Sequence, residues 1–110
     1  IADAGFDGIV LITTGLTAVR DLGNDRYYIE GGVDLMRVVR DIMLERNYDL
    51  VGGLTGIPGS VGGAMYMNAG TVNGTVCQVI ESVDVLTCAG GLQTIAMESS
   101  LYGYRGQSYC

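Results

Sequence analysis

Between Gly53 and Gly70 the chain reads GLTGIPGSVGGAMYMNAG: six glycines, one proline and no charged side chain in eighteen residues. Glycine loses more backbone freedom on folding than any other residue. A cluster of glycines therefore persists where main chain must turn sharply or come very close to something else. That something is either another stretch of main chain or a flat or anionic ligand. Composition alone leaves both open, and a tightly packed glycine helix without a ligand is the plainer of the two.

The order of residues gives the ligand reading its content. Pro58 suits the first position of a short helix, where its missing N–H costs nothing. Behind it, the amides of Gly59, Ser60 and Val61 are expected as unpaired first-turn donors, with the partial positive charge that attracts phosphate. Gly59, Gly62 and Gly63 carry no β-carbon, so a ligand can approach the backbone. Met65, Tyr66 and Met67 add apolar, polarizable surface, Asn68 adds a donor and an acceptor, and Gly70 ends the unit. A ligand with a phosphate at one end and a ring system at the other would suit this order. Neither familiar nucleotide loop is present: there is no Gly-Lys-Ser/Thr, and no G-x-G-x-x-G between a strand and a helix.

The rest of the chain narrows the classes. Its 110 residues suit one small domain, and 48% hydrophobic content allows a modest core. Twelve acidic groups face six basic ones, all arginine, for a net charge of −6. An acidic chain without a basic stripe argues against nucleic acid and against anionic membrane surfaces. No apolar run approaches the roughly 18 residues a membrane span requires. Cys77, Cys88 and Cys110 are odd in number and widely spaced, which fits reduced thiols in a cytoplasmic protein better than disulfides. With no histidine and no Cys-x-x-Cys, no metal site is expected. The chain opens on Ile1 rather than methionine and stops just after a tyrosine, which suggests a piece of a longer protein.

Along the chain, Ile9–Thr14 (IVLITT) reads as a buried strand closed by Gly15, and Leu16–Arg20 as a possible continuation. Asp21–Arg26 is turn chemistry, and Tyr27–Val33 a second strand ending at a glycine pair. Asp34–Asn47 is the clearest helix. Asp34 caps it, Leu35, Val38, Val39, Ile42 and Met43 form its apolar face, and Arg37 and Asp41 are an i,i+4 pair. After the glycine-rich segment, Gln78–Thr87 and Gly91–Ser100 read as strands joined at CAGG as a hairpin. The order β-β-α, glycine-rich loop, β-β predicts an α+β fold, a mostly antiparallel sheet with covering helices.

GIPGSVGGAMYMNAG resembles the flavin-binding signature of the MurB family, the UDP-N-acetylenolpyruvoylglucosamine reductases (UDP-N-acetylmuramate dehydrogenases). GFDGIVLITTGL, YYIEGGVDLMRVVRDIMLERNYDLVGG and LYGYRGQSYC resemble further segments of that family in the same order, so the similarity runs through essentially the whole chain. The resemblance implies an FAD-binding subdomain of the PCMH/VAO type, with residues 1–110 as its second subdomain. The first FAD subdomain would precede the chain and a substrate domain would follow it. It implies that Ile57, Pro58, Gly59, Ser60, Val61, Gly62, Gly63, Met67, Asn68 and Gly70 hold FAD. The family's enzymes are cytoplasmic and work in peptidoglycan synthesis, where NADPH, by way of FAD, reduces the enolpyruvyl group of a UDP-sugar to give UDP-N-acetylmuramate.

On the same resemblance, Arg105 in GYRGQS matches the arginine that stabilises charge on the substrate carboxylate, with Tyr104 beside it as a substrate contact. Guanidinium suits that part: it is always charged and can grip a carboxylate through two parallel hydrogen bonds. The chain departs from the family at two places. Gln107 stands where serine is usual, with Ser108 one later, and NAGTVNGTVCQV replaces the usual NAGAYG.E. The proton donor and a glutamate would lie outside these residues, so the chain alone is expected to lack catalysis. Two other readings stay open: the FAD-binding module of another VAO/PCMH-type oxidoreductase, and a non-catalytic piece in which the glycines serve packing only.

Overall fold

A computed structural model describes residues 3–48 and 51–108. The described residues form four separate antiparallel hairpins around a small helical core. In the first, β1 (Val19–Gly23) pairs with β2 (Arg26–Ile29), with Val19 opposite Ile29. The turn between them is built on Asn24 and Asp25, both with positive φ of 53° and 58°. Short polar side chains tolerate that conformation best. The remaining hairpins are β3 (Gly70–Thr71) with β4 (Gly74–Thr75), β5 (Ser82–Leu86) with β6 (Leu92–Ala96), and β7 (Tyr102–Gly103) with β8 (Gly106–Gln107).

The helix expected over Asp34–Asn47 is present but shorter, running from Leu35 to Met43 and followed by turns to Asn47. Asp34 caps α1 (Leu35–Val38), its Oδ1 accepting from the Arg37 amide at 3.0 Å. The helix then widens to π spacing over Val39–Met43, where the Leu44 amide reaches the Val39 carbonyl. Leu35, Val39 and Met43 stay on the buried side, and Arg37 sits 3.8 Å from Asp41 on the other. Asn47 takes the left-handed exit with φ 53°. Two short helices follow, α2 (Val51–Leu54) and α3 (Val61–Tyr66). Their Leu54, Val61 and Ala64 join Val33, Leu35, Val39, Met43, Val76 and Cys77 in one core. The α+β expectation and the antiparallel pairing agree with this architecture.

Three local expectations are corrected. Ile9–Thr14 is neither a strand nor buried: Ile9, Leu11 and Ile12 are 87%, 76% and 81% exposed. β-branched residues favour a strand only where a neighbour supplies pairing and a face to pack on, and no partner strand lies among the described residues. Pro58 does not open a helix; α3 starts at Val61 behind Ser60, whose hydroxyl can cap where proline cannot. The second strand ends at Ile29, short of Val33, because residues 31–35 pair with the glycine-rich loop instead.

Candidate functional site

The glycine-rich loop is stitched to the chain just before α1. The Leu35 amide donates to the Gly59 carbonyl at 2.9 Å, and the Val61 amide donates to the Val33 carbonyl at 2.8 Å, forming a bridge between Asp34 and Ser60. The Gly62 amide donates to the Gly31 carbonyl at 2.8 Å. The Ser60 hydroxyl accepts from the Gly63 amide at 3.2 Å. Helix α3 therefore begins with three of its early amides engaged inside the protein. Val61 was expected to offer a free donor, and it does not. Gly59 and Ser60 keep amides with no partner among the described residues.

The glycines divide in the same way. A β-carbon on Gly62 would stand 3.0 Å from the Gly31 oxygen, and one on Gly53 would stand 2.7 Å from the Gly74 oxygen. One on Gly70 would run into the same Gly74 carbonyl. These three serve backbone-to-backbone packing. Gly59, with φ 127°, has nothing within 4 Å of that position, and Gly63 has only the Ser60 hydroxyl at 3.4 Å. Open backbone thus gathers at Gly59, Ser60 and Gly63, beside exposed Pro58 and ahead of exposed Tyr66 and Met67. The Val61 side chain is part of the core, and Ile57 is half-buried against that core.

Asn68 is the buried polar residue of this region, 5% exposed. Its Nδ2 donates to the Gly103 carbonyl at 2.7 Å, and its Oδ1 accepts from the Cys77 amide at 3.3 Å. Gly103 ends β7, and the two residues that turn the chain into β8 are Tyr104 and Arg105. Tyr104 is 94% exposed, and Arg105 is exposed with φ 55°, its guanidinium 5.8 Å from the Tyr104 ring centroid. A shallow depression of about 300 Å³ runs along the base of this hairpin, between Leu101, Tyr102, Gly106 and Gln107. The structure so links the glycine-rich segment to the Gly-Tyr-Arg hairpin through one carboxamide.

Sequence reading missed Gly31 and Gly103, the two backbone partners of this region. Gly31 was visible only as half of a glycine pair, and nothing local marks Gly103 as an acceptor. No helix among the described residues is long and apolar enough to cross a membrane. Cys77 is buried and Cys88 exposed, and neither is in a disulfide among the described residues.

The comparisons with known proteins agree with this layout. The family described as FAD binding domain matches residues 1–96. The UDP-N-acetylenolpyruvoylglucosamine reductase of Clostridium tetani is 34% identical over 108 residues, covering 98% of this chain and 34% of its own length. The protein of that name from Geobacillus thermodenitrificans is 39% identical over 105 residues, covering 96% of this chain and 34% of its own. The crystal structure of UDP-N-acetylenolpyruvylglucosamine reductase (MurB) from Thermus caldophilus matches with a TM-score of 0.65 and 31% identity, over 74% of this chain and 30% of that one. The chain spans about a third of the length of the curated relatives it matches. By the match over nearly its whole length, and by a fold shared with a solved reductase, the chain belongs to the family of FAD-binding domains.

Proposed function

We propose that these residues are the second FAD-binding subdomain of a cytoplasmic UDP-N-acetylenolpyruvoylglucosamine reductase that uses NADPH in peptidoglycan synthesis. The observation that carries the reading is the adjacent pair of amides at Gly59 and Ser60, without a partner among the described residues, with open space over the Gly59 α-carbon. FAD carries a diphosphate, and two neighbouring N–H groups beside bare backbone fit one. Tyr66 and Met67, exposed one helix length away, fit the apolar part of such a ligand.

The overall reaction adds a hydride and a proton across the enolpyruvyl double bond while NADPH becomes NADP⁺; FAD, when bound, would relay that hydride from NADPH to the sugar. This chain's residues hold and orient. Gly59 and Ser60 bind phosphate oxygens, and the engaged amides of Val61 and Gly62 keep the loop in one shape. Arg105 presents a fixed cation to the substrate carboxylate, where negative charge grows as hydride arrives. Tyr104 flanks it. The proton donor lies on other domains of the same enzyme, so the 110 residues alone are inactive.

The test is purification of the full-length protein. Bound flavin with its yellow absorption, and NADPH oxidation that depends on the enolpyruvyl UDP-sugar, are expected. A full-length protein that never retains FAD, or whose NADPH oxidation ignores that sugar, defeats the reading.

A further inference from the structure

Asn68 stands where α3 ends. Its φ of 43° lies in the left-handed region, its amide donates to the Met65 carbonyl at 3.0 Å, and the Ala69 amide donates to the Ala64 carbonyl at 2.7 Å. These are the paired bonds of a helix closed by a left-handed residue, a backbone role that glycine fills best. The side chain does something separate. It reaches forward 35 residues to the Gly103 carbonyl, on the last strand residue before the Tyr104–Arg105 turn. Arg105 itself holds positive φ, a conformation that a long L-residue keeps when its surroundings fix it.

We infer that Asn68 is a positioning residue for Arg105: its buried carboxamide pins the start of the arginine's turn to the end of the glycine-rich helix. The inference rests on the reading of Arg105 given above. The junction needs a donor toward Gly103 and an acceptor toward Cys77, and a primary carboxamide supplies both from one planar group. Aspartate would keep the acceptor but set a second oxygen against the Gly103 carbonyl, leaving two acceptors face to face in a partly buried contact. The same bond ties the end of α3 to the arginine's turn, so the placement of Arg105 depends on α3 and not on the hairpin alone.

Full-length flavoprotein carrying Asn68→Gly, Arg105→Ala, or both provides the test. Asn68→Gly keeps the helix end and deletes both side-chain bonds. The resemblance would put Asn68 on FAD, but both polar atoms of its side chain are engaged inside the protein, so flavin bound per chain and bleaching of that flavin by NADPH are expected to stay as in the parent. Turnover of the enolpyruvyl sugar is expected to fall roughly 10- to 100-fold, in kcat more than in KM, as for a misplaced catalytic group. In the Arg105→Ala background the same substitution should cost less than roughly twofold, because it acts through the residue already removed. Asn68→Asp should lose at least as much as Asn68→Gly. An equal loss with and without Arg105, or flavin lost in step with turnover, would mean that Asn68 serves the fold or the cradle, and the inference fails. If Arg105→Ala alone leaves sugar reduction intact, the reading of Arg105 falls, and the inference with it.

Discussion

Gly62 and Gly31 meet backbone to backbone: the Gly62 amide donates to the Gly31 carbonyl at 2.8 Å, and a β-carbon on Gly62 would stand 3.0 Å from that same oxygen. The oxygen cannot retreat without lengthening its own hydrogen bond. Alanine in a helix gains about 1 kcal/mol over glycine, while overpacking against a fixed neighbour costs about 1–3 kcal/mol. Gly62→Ala is therefore expected to lower stability by about 1 kcal/mol. At Gly63, one residue on, the only neighbour is the Ser60 hydroxyl at 3.4 Å. Gly63→Ala should raise stability by about 0.5–1 kcal/mol and at the same time weaken FAD binding, by crowding the open backbone. Urea unfolding of the apoprotein and flavin titration read the two effects separately.

Ser60 separates capping from anion binding. Its hydroxyl accepts from the Gly63 amide, so Ser60→Ala should cost about 1 kcal/mol of stability. Ser60→Asp keeps a capping oxygen and should stay within about 0.5 kcal/mol of the parent, since aspartate caps as well as serine. It also places a carboxylate beside the amides proposed to hold phosphate, so FAD affinity should drop at least tenfold, about 1.4 kcal/mol. Equal affinity for Ser60→Asp and the parent would place the diphosphate elsewhere.

Phe6, Ile9, Leu11 and Ile12 are all more than 60% exposed, and none belongs to the core or packs on it. Contiguous apolar surface of this kind drives association. The 110-residue chain is expected to self-associate as its concentration rises in sedimentation experiments. Ile9→Ser with Ile12→Ser should shift it toward monomer with no loss of melting temperature. A drop in melting temperature would mean that these side chains support the fold.

The acid side of the stability curve carries one readable contribution. The Arg40 guanidinium, by hydrogen bond and then by charge, holds the Asp41 carboxyl below its ordinary value of 3.8, with Arg37 adding to the pull. A carboxyl depressed in the folded state stabilises above its unfolded value and loses that contribution as pH falls through the folded value. Asp41→Asn should therefore flatten the loss of stability below about pH 4. Both side chains are exposed, so the difference is small and should fade in high salt.

Features that depend on nearby residues were legible in the sequence. Asp34 caps its helix through an amide three residues on, Leu35, Val39 and Met43 repeat at helical spacing, and CAGG turns between two alternating strands. Features that depend on distant residues were not. Nothing near Gly62 distinguishes it from Gly59; the difference lies in Gly31, which a bridge between Asp34 and Ser60 brings into place. Pro58 looked like a helix start because the loop's pairing with residues 33–35 is invisible locally. Asn68 offered a carboxamide that could face a ligand or the protein, and only the fold places Gly103 and Cys77 at its two ends. Ile9–Thr14 has every local mark of a strand and lacks the one thing propensity cannot supply, a neighbour.

The hairpin of β5 and β6 is the largest ladder among the described residues, yet none of its residues joins the buried cluster or packs directly on it. It is tethered at its base, by Ile80 and Met97 against the core and by the exposed Arg26–Glu81 ion pair. A two-stranded ribbon held only at one end opens without dissolving the rest. Its amides will therefore exchange with deuterium well before those of Val39 and Ala64, and a protease that finds the Cys88–Gly91 tip will clip it while the helices remain intact.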